Sequence, residues 1–134
     1  MHIARITENK IDTTYISNVL VRGENKSLTI GFDFYRPIPD RCFLMYQREG
    51  DEAPYIVEVE KVSQIGIRTE LRYKPSIHFC AKAGEVRIQL VSCDVDPSEA
   101  TEEQVVDLTE VASIFIADSM TDPEDPEVVA DLEN

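Results

Sequence analysis

Apolar and polar residues alternate with a period of two along most of this chain. Leu28, Ile30, Phe32 and Phe34 alternate with Thr29, Gly31, Asp33 and Tyr35, the pattern of a strand with one face on a core. Ile65, Ile67, Thr69, Leu71 and Tyr73 alternate with Gly66, Arg68, Glu70, Arg72 and Lys74, which predicts a second strand with a row of charges in water. Val86, Ile88 and Leu90 alternate with Arg87, Gln89 and Val91. Further strands are predicted over 13–22, 41–48, 55–62, 77–81 and 111–117, all rich in β-branched or aromatic residues that suit a pleated surface. The expected core is Leu28, Ile30, Phe32, Phe34, Leu44, Val57, Val59, Ile67, Leu71, Val86, Ile88, Leu90, Ile114 and Ile116.

Turn signals separate these runs. Gly23 with Asn25, Pro37 with Pro39, Gly50 with Asp51, and Gly84 each interrupt the alternation, because glycine supplies unusual backbone angles and proline cannot donate to a ladder. About seven or eight short strands with such spacing predict an all-β fold, an immunoglobulin-like antiparallel β-sandwich; a five-stranded barrel is the lesser possibility. One helical signal stands out at Asp96-Pro97-Ser98-Glu99. It offers a capping Asp, Pro at the first helical position and a Glu able to reach back to the cap. A short helical turn running to about Gln104 is expected in the long connection before the last strand. Beyond Met120, two Asx-Pro steps without apolar periodicity predict a flexible segment. The chain thus divides into a sandwich domain over 1–118 and an acidic tail over 119–134.

Charge sharpens that division. All 13 Lys and Arg residues lie between Arg5 and Arg87, whereas the 14 acidic residues from Asp94 onward have no basic companion. The net charge of −13 therefore belongs to the last third. Such an excess disfavours direct contact with nucleic acid or an anionic membrane, and no apolar run is long enough to span a bilayer. Met1-His2-Ile3-Ala4-Arg5 lacks the apolar stretch of a signal peptide, so synthesis in the cytoplasm is the expectation. Cys42, Cys80 and Cys93 are odd in number, have no CxxC spacing and sit in apolar runs, so they read as buried thiols.

Motifs for catalysis or cofactors are absent from the sequence: it has no phosphate loop, nucleophile elbow or HExxH. No enzyme activity, cofactor or metal is expected. His78 and Cys80, two apart in a predicted strand, would share a face, but a nucleophilic pair also needs an orienting group and an oxyanion site. Asp94, Asp96 and Glu99 could form a Ca²⁺ site at one end of a sandwich, although the sixth and twelfth positions of an EF-hand are Glu99 and Val105 here. The favoured candidate is a partner-binding acidic loop made of Asp94, Asp96, Glu99, Glu102, Glu103, Asp107 and Glu110.

The order of signals resembles a known arrangement. Arg22-Gly23-Glu24 before the strand at 27–34 resembles the opening of the N-terminal immunoglobulin-like domain of phage upper baseplate proteins. The run at 42–51 is similar to that family's second strand and charged, Gly-containing hairpin. Ala83-Gly84-Glu85 before Val86 and Ile88 is similar to its Ala-Gly turn and following strand, and 113–117 to its closing strand. The resemblance covers about 19–118. It implies a domain that packs around a tail or baseplate and carries no catalytic residues.

The sequence therefore points to a non-enzymatic structural or assembly protein of a phage or prophage tail, ending up in the virion. Its expected partners are other tail or baseplate proteins, or further copies of itself. Two alternatives remain at this stage. One is an acidic inhibitor that mimics DNA. The other is a carbohydrate-binding sandwich using Tyr15, Tyr35, Tyr46, Tyr55 or Tyr73 as a platform, though the chain has no Trp.

Overall fold

The structure is a computed structural model that describes residues 2–120. The expected tail therefore lies almost wholly outside the described residues. Among the described residues there are nine strands: β1 (His2–Thr7), β2 (Lys10–Ile11), β3 (Ile30–Phe34), β4 (Cys42–Arg48), β5 (Tyr55–Ile65), β6 (Arg68–Tyr73), β7 (Gly84–Cys93), β8 (Val105–Leu108) and β9 (Ala112–Ile116). They follow one path, β2-β1-β3-β6-β5-β4-β7-β8, with β9 also on β7.

The eleven-residue β5 is the pivot of this path. Tyr55–Val59 pairs with β4, while Glu60–Ile65 pairs with β6 across a bulge between Lys61 and Ser63. A bulge bends a strand and increases its twist, so the sheet turns at β5 into two halves. Their strand orders, β1-β3-β6-β5 and β5-β4-β7-β9, are those of an immunoglobulin-like sandwich sharing one strand. The inner faces meet in one core that includes Ile6, Phe32, Leu44, Leu71, Ile88 and Ile114. Each is at most 2% exposed, and burial of each such side chain contributes roughly 1.5–3 kcal/mol.

One pairing departs from the antiparallel expectation. β1 runs parallel to β3, from His2↔Ile30 to Ile6↔Phe34, which the long connection between β2 and β3 allows. That connection, 12–29, was expected to hold a strand over 13–22. It forms turns instead, with Asn18 at φ 64°, and it buries Ile16 and Leu20. Its second half covers the free edge of β9: Asn18 N donates to Phe115 O, and Ala117 N donates to Leu20 O. Covered edges do not recruit stray strands.

Two other strand expectations change. Residues 77–81 form a compact turn, with Cys80 N donating to Ser76 O at 3.1 Å. The run from Ile65 to Tyr73 is not one strand but a hairpin, with Gly66 (φ 58°) and Ile67 as its two-residue turn. Glycine at the first of two turn positions suits such a hairpin. Ile67 is 68% exposed rather than part of the core, and Leu28 and Val57 are only partly buried against it.

Where the ladder on β7 passes from β8 to β9, Thr109 bridges the gap. Leu90 N donates to Thr109 Oγ1 at 3.0 Å, and Thr109 N donates to Leu90 O at 3.1 Å. The helical signal is realised differently from its expectation. Asp96 makes one turn, and the 3₁₀ helix comes later, at Glu102–Gln104. Gln104 Oε1 there accepts from Thr101 N at 2.9 Å, the reach-back that Glu99 was expected to make. With no apolar stripe to bury, the helix has nothing to sustain its length.

Candidate partner-binding surface

The ends of β4 and β7 differ in chemistry. At one end, where Cys42 lies opposite Ser92, the chain enters β4 through Asp40-Arg41 and leaves β7 through Asp94. Asp94, Asp96, Glu99, Glu103 and Glu110 are all exposed. The side chains of Glu102 and Asp107 lie outside what the structure describes. The expected loop thus gains Asp40, which sequence spacing gave no reason to include because it is 54 positions from Asp94. The Asp40 pKa is raised chiefly because its protonated carboxyl can donate a hydrogen bond to the Asp94 carboxylate, with partial burial and repulsion from Asp94 adding to it.

Local bonds order the rim. Asp96 Oδ1 accepts from Ser98 N at 2.9 Å and Ser98 Oγ at 2.6 Å, an Asx turn of the kind Asp favours. Those bonds hold the Asp96 carboxyl below its ordinary value. Arg41 anchors the base: it pairs with Glu58 at 2.8 Å and donates to Asp94 O at 3.3 Å. Among the described residues, no three His, Cys, Asp or Glu side chains are grouped to hold a metal ion.

The opposite end, where Arg48 lies opposite Val86, is aromatic and tightly bonded. Tyr46 Oη and His78 Nδ1 are 2.6 Å apart. Tyr55 meets the His78 ring at 4.4 Å between centroids, and the Arg48 guanidinium lies 5.3 Å over Tyr55. Partial burial, then the nearby Arg48 charge, lowers the His78 pKa. His78 is exposed whereas Cys80 is buried, with its thiol pushed up to about 12 by burial. The two do not share a face, because they sit in a turn and not in the expected strand. Tyr46, Tyr55 and Tyr73 are likewise committed to packing with neighbouring rings. Tyr15 and Tyr35 remain largely open, at 68% and 51% exposure.

A groove that the sequence reading missed lies on the outer face of β1, β3 and β6. Arg5, Asp33 and Arg68 line it together with Tyr15 of the β2–β3 connection. The signal was available in part, since Asp33 interrupts an otherwise wholly apolar or small strand; what it faces depends on pairing across 28 and 35 positions.

No family model matches the chain, and no curated protein sequence matches it. Among solved structures, it is similar to the N-terminal domain of phage TP901-1 ORF48, with 11% identity and a TM-score of 0.56. The similarity spans 87% of this chain and 97% of that one. At such low identity the likeness is one of backbone arrangement, and the resemblance read from the strands holds at that level: this chain has the fold of that phage domain.

Proposed function

We propose that the protein is a non-enzymatic structural component of a phage or prophage tail, working through protein–protein contacts in a baseplate-like assembly. The observation that carries this reading is the fold shared with a phage domain over 97% of that domain's length. The acidic rim supplies the contact chemistry. Asp40, Asp94, Asp96, Glu99 and Glu103 project from one end of the sandwich, beside Glu110, and the sequence adds further acids over 121–134. A basic surface on a neighbouring tail protein, or on another copy, complements it.

In this reading the sandwich over 1–118 is the docking body and 119–134 an acidic extension that adds charge. Charge-led contacts between exposed groups are screened over about 8–10 Å near physiological ionic strength. Co-sedimentation of the protein with purified tails should therefore fall as salt rises from about 50 to 500 mM. The triple variant Asp94→Lys, Asp96→Lys, Glu99→Lys should lose it at low salt. Salt-independent binding unaffected by that variant would remove the acidic rim from the account. An inhibitor mimicking DNA would instead compete with duplex DNA for a basic nuclease or repressor, and lose that competition in the same variant.

A further inference from the structure

The groove over β1, β3 and β6 has a volume of about 720 Å³, within the range of small-ligand sites. Asp33 is its floor. Phe32 and Phe34 enter the core on either side of it, so the Asp33 side chain is on the outer face, yet it is only 2% exposed. Its Oδ2 accepts from Arg68 Nη2 at 2.8 Å. Its Oδ1 has no hydrogen-bond partner. A buried carboxylate oxygen without a donor is costly, and such an atom in a native fold calls for an explanation.

Two arginines line the groove with this carboxylate. Arg5 is the register partner of Asp33 on β1. Arg68 covers Asp33 from β6 while its own side chain stays 59% exposed. Its remaining N–H groups are available above the floor. Asp12, the other acid lining the groove, spends its Oδ1 on Thr14 N and Thr14 Oγ1, at 3.0 and 2.6 Å. The Tyr15 ring stands at the rim, and none of the ring or cation stacking contacts among the described residues involves it.

We propose that this groove binds an acidic saccharide, a sugar ring bearing a carboxylate. The carboxylate is held between Arg5 and Arg68, whose planar forks match it. The C–H face of the ring rests on Tyr15, an aromatic surface with an open face. A ring hydroxyl that enters beside the exposed Arg68 side chain donates to Asp33 Oδ1 and supplies the missing partner. Two arginines against two aspartates leave the lining near neutral, so a single negative charge on the ligand is tolerated better than a phosphate dianion. Among the described residues, Ile3 and Val19 alone give the groove aliphatic walls, too little to hold an apolar peptide side chain. The site is separate from the acidic rim, so its fate does not decide the tail assignment.

The test uses the whole chain and a galacturonic acid tetrasaccharide as probe, followed by amide chemical shifts and calorimetry. Neutral galactose tetrasaccharide and inorganic phosphate serve as comparisons. The proposal expects sub-millimolar binding by the uronate, with shifts at Arg5, Tyr15, Asp33 and Arg68. The neutral sugar should bind roughly tenfold or more weakly. Arg5→Ala and Tyr15→Ala, both at exposed side chains, should each weaken uronate binding roughly tenfold while leaving the melting temperature in place. No binding at about 10 mM uronate, or shifts that map elsewhere, would overturn it. Equal affinity for phosphate would reduce the groove to a plain anion site, and equal affinity for the neutral sugar would remove the arginines' role. Either result also refutes the proposal.

Discussion

The guanidinium of Arg48 and the carboxylate of Asp51 clasp the turn of the β4–β5 hairpin. Arg48 Nε donates to Oδ2 at 2.9 Å and Nη2 donates to Oδ1 at 3.1 Å, while Arg48 N also donates to Oδ2 at 2.8 Å. Both side chains are under 10% exposed. Arg48 further donates to His78 O at 2.9 Å, tying the hairpin to the turn at 77–81. Removing Arg48 strips Asp51 of its three hydrogen bonds and leaves only the longer contact with Lys82 Nζ at 3.7 Å, so Arg48→Ala should cost about 3 kcal/mol. Arg41→Ala, which breaks the half-exposed pair with Glu58, should cost no more than about 1 kcal/mol. Urea unfolding of the two variants checks the contrast; equal losses would mean that burial does not set the value of these pairs.

The same clasp gives a pH dependence. Hydrogen bonding to Arg48 holds the Asp51 pKa at about 2, below its ordinary value of 3.8. The unfolded chain therefore takes up a proton before the folded one does, and acid favours unfolding. The contribution is complete above about pH 4 and is lost as pH falls towards 2. In Asp51→Asn, stability should fall less steeply across that window than in the wild-type protein. An unchanged slope in acid denaturation would contradict the assignment.

Gly84 opens β7 at φ 112°, a conformation that only glycine adopts without strain. A Cβ there would also come within 2.5 Å of Glu49 Oε2, but that is the far end of a flexible side chain and can move. The backbone term decides, and Gly84→Ala should cost about 1–2 kcal/mol. Thermal melting of Gly84→Ala beside Glu49→Ala/Gly84→Ala separates the two causes. Rescue by the second substitution would show that the clash, not the backbone, dominates.

Ile67 and Ile88 show how far alternation can be trusted. Both stand at apolar positions of clear period-two runs, but Ile88 is 2% exposed and Ile67 is 68% exposed. The two-residue turn at Gly66-Ile67 makes Ile65 the partner of Arg68. Paired residues share a face, so the inward set shifts by one position across the turn. The alternation read from Ile65 to Tyr73 thus ran through a hairpin that leaves Ile65 and Ile67 outside. The runs ending in Phe34, Arg48, Leu90 and Ile116 contained no such turn and were legible. Phe79 and Cys80 are buried consecutively, which no one-sided strand permits, and their turn was read as a strand. Ala4 and Ile6, buried while Arg5 and Thr7 are exposed, carried a usable strand signal at β1. The groove and the Asp40–Asp94 pair depend on long-range pairing and on loop geometry, which local spacing does not encode.

That contrast is itself measurable. Ile88→Ala should cost about 2–5 kcal/mol as a core truncation. Ile67→Ala should stay within about 0.5 kcal/mol, as surface changes do. A large loss at Ile67 would mean that the hairpin tip is buried in solution.

The proposed role makes this protein a part of the tail particle. Quantitative mass spectrometry of particles purified from an induced or infected culture tests it most directly. Recovery at a fixed copy number per particle is expected, in a ratio to other tail proteins that does not vary between preparations. Abundant free protein in the lysate, with none in the particles, would contradict it.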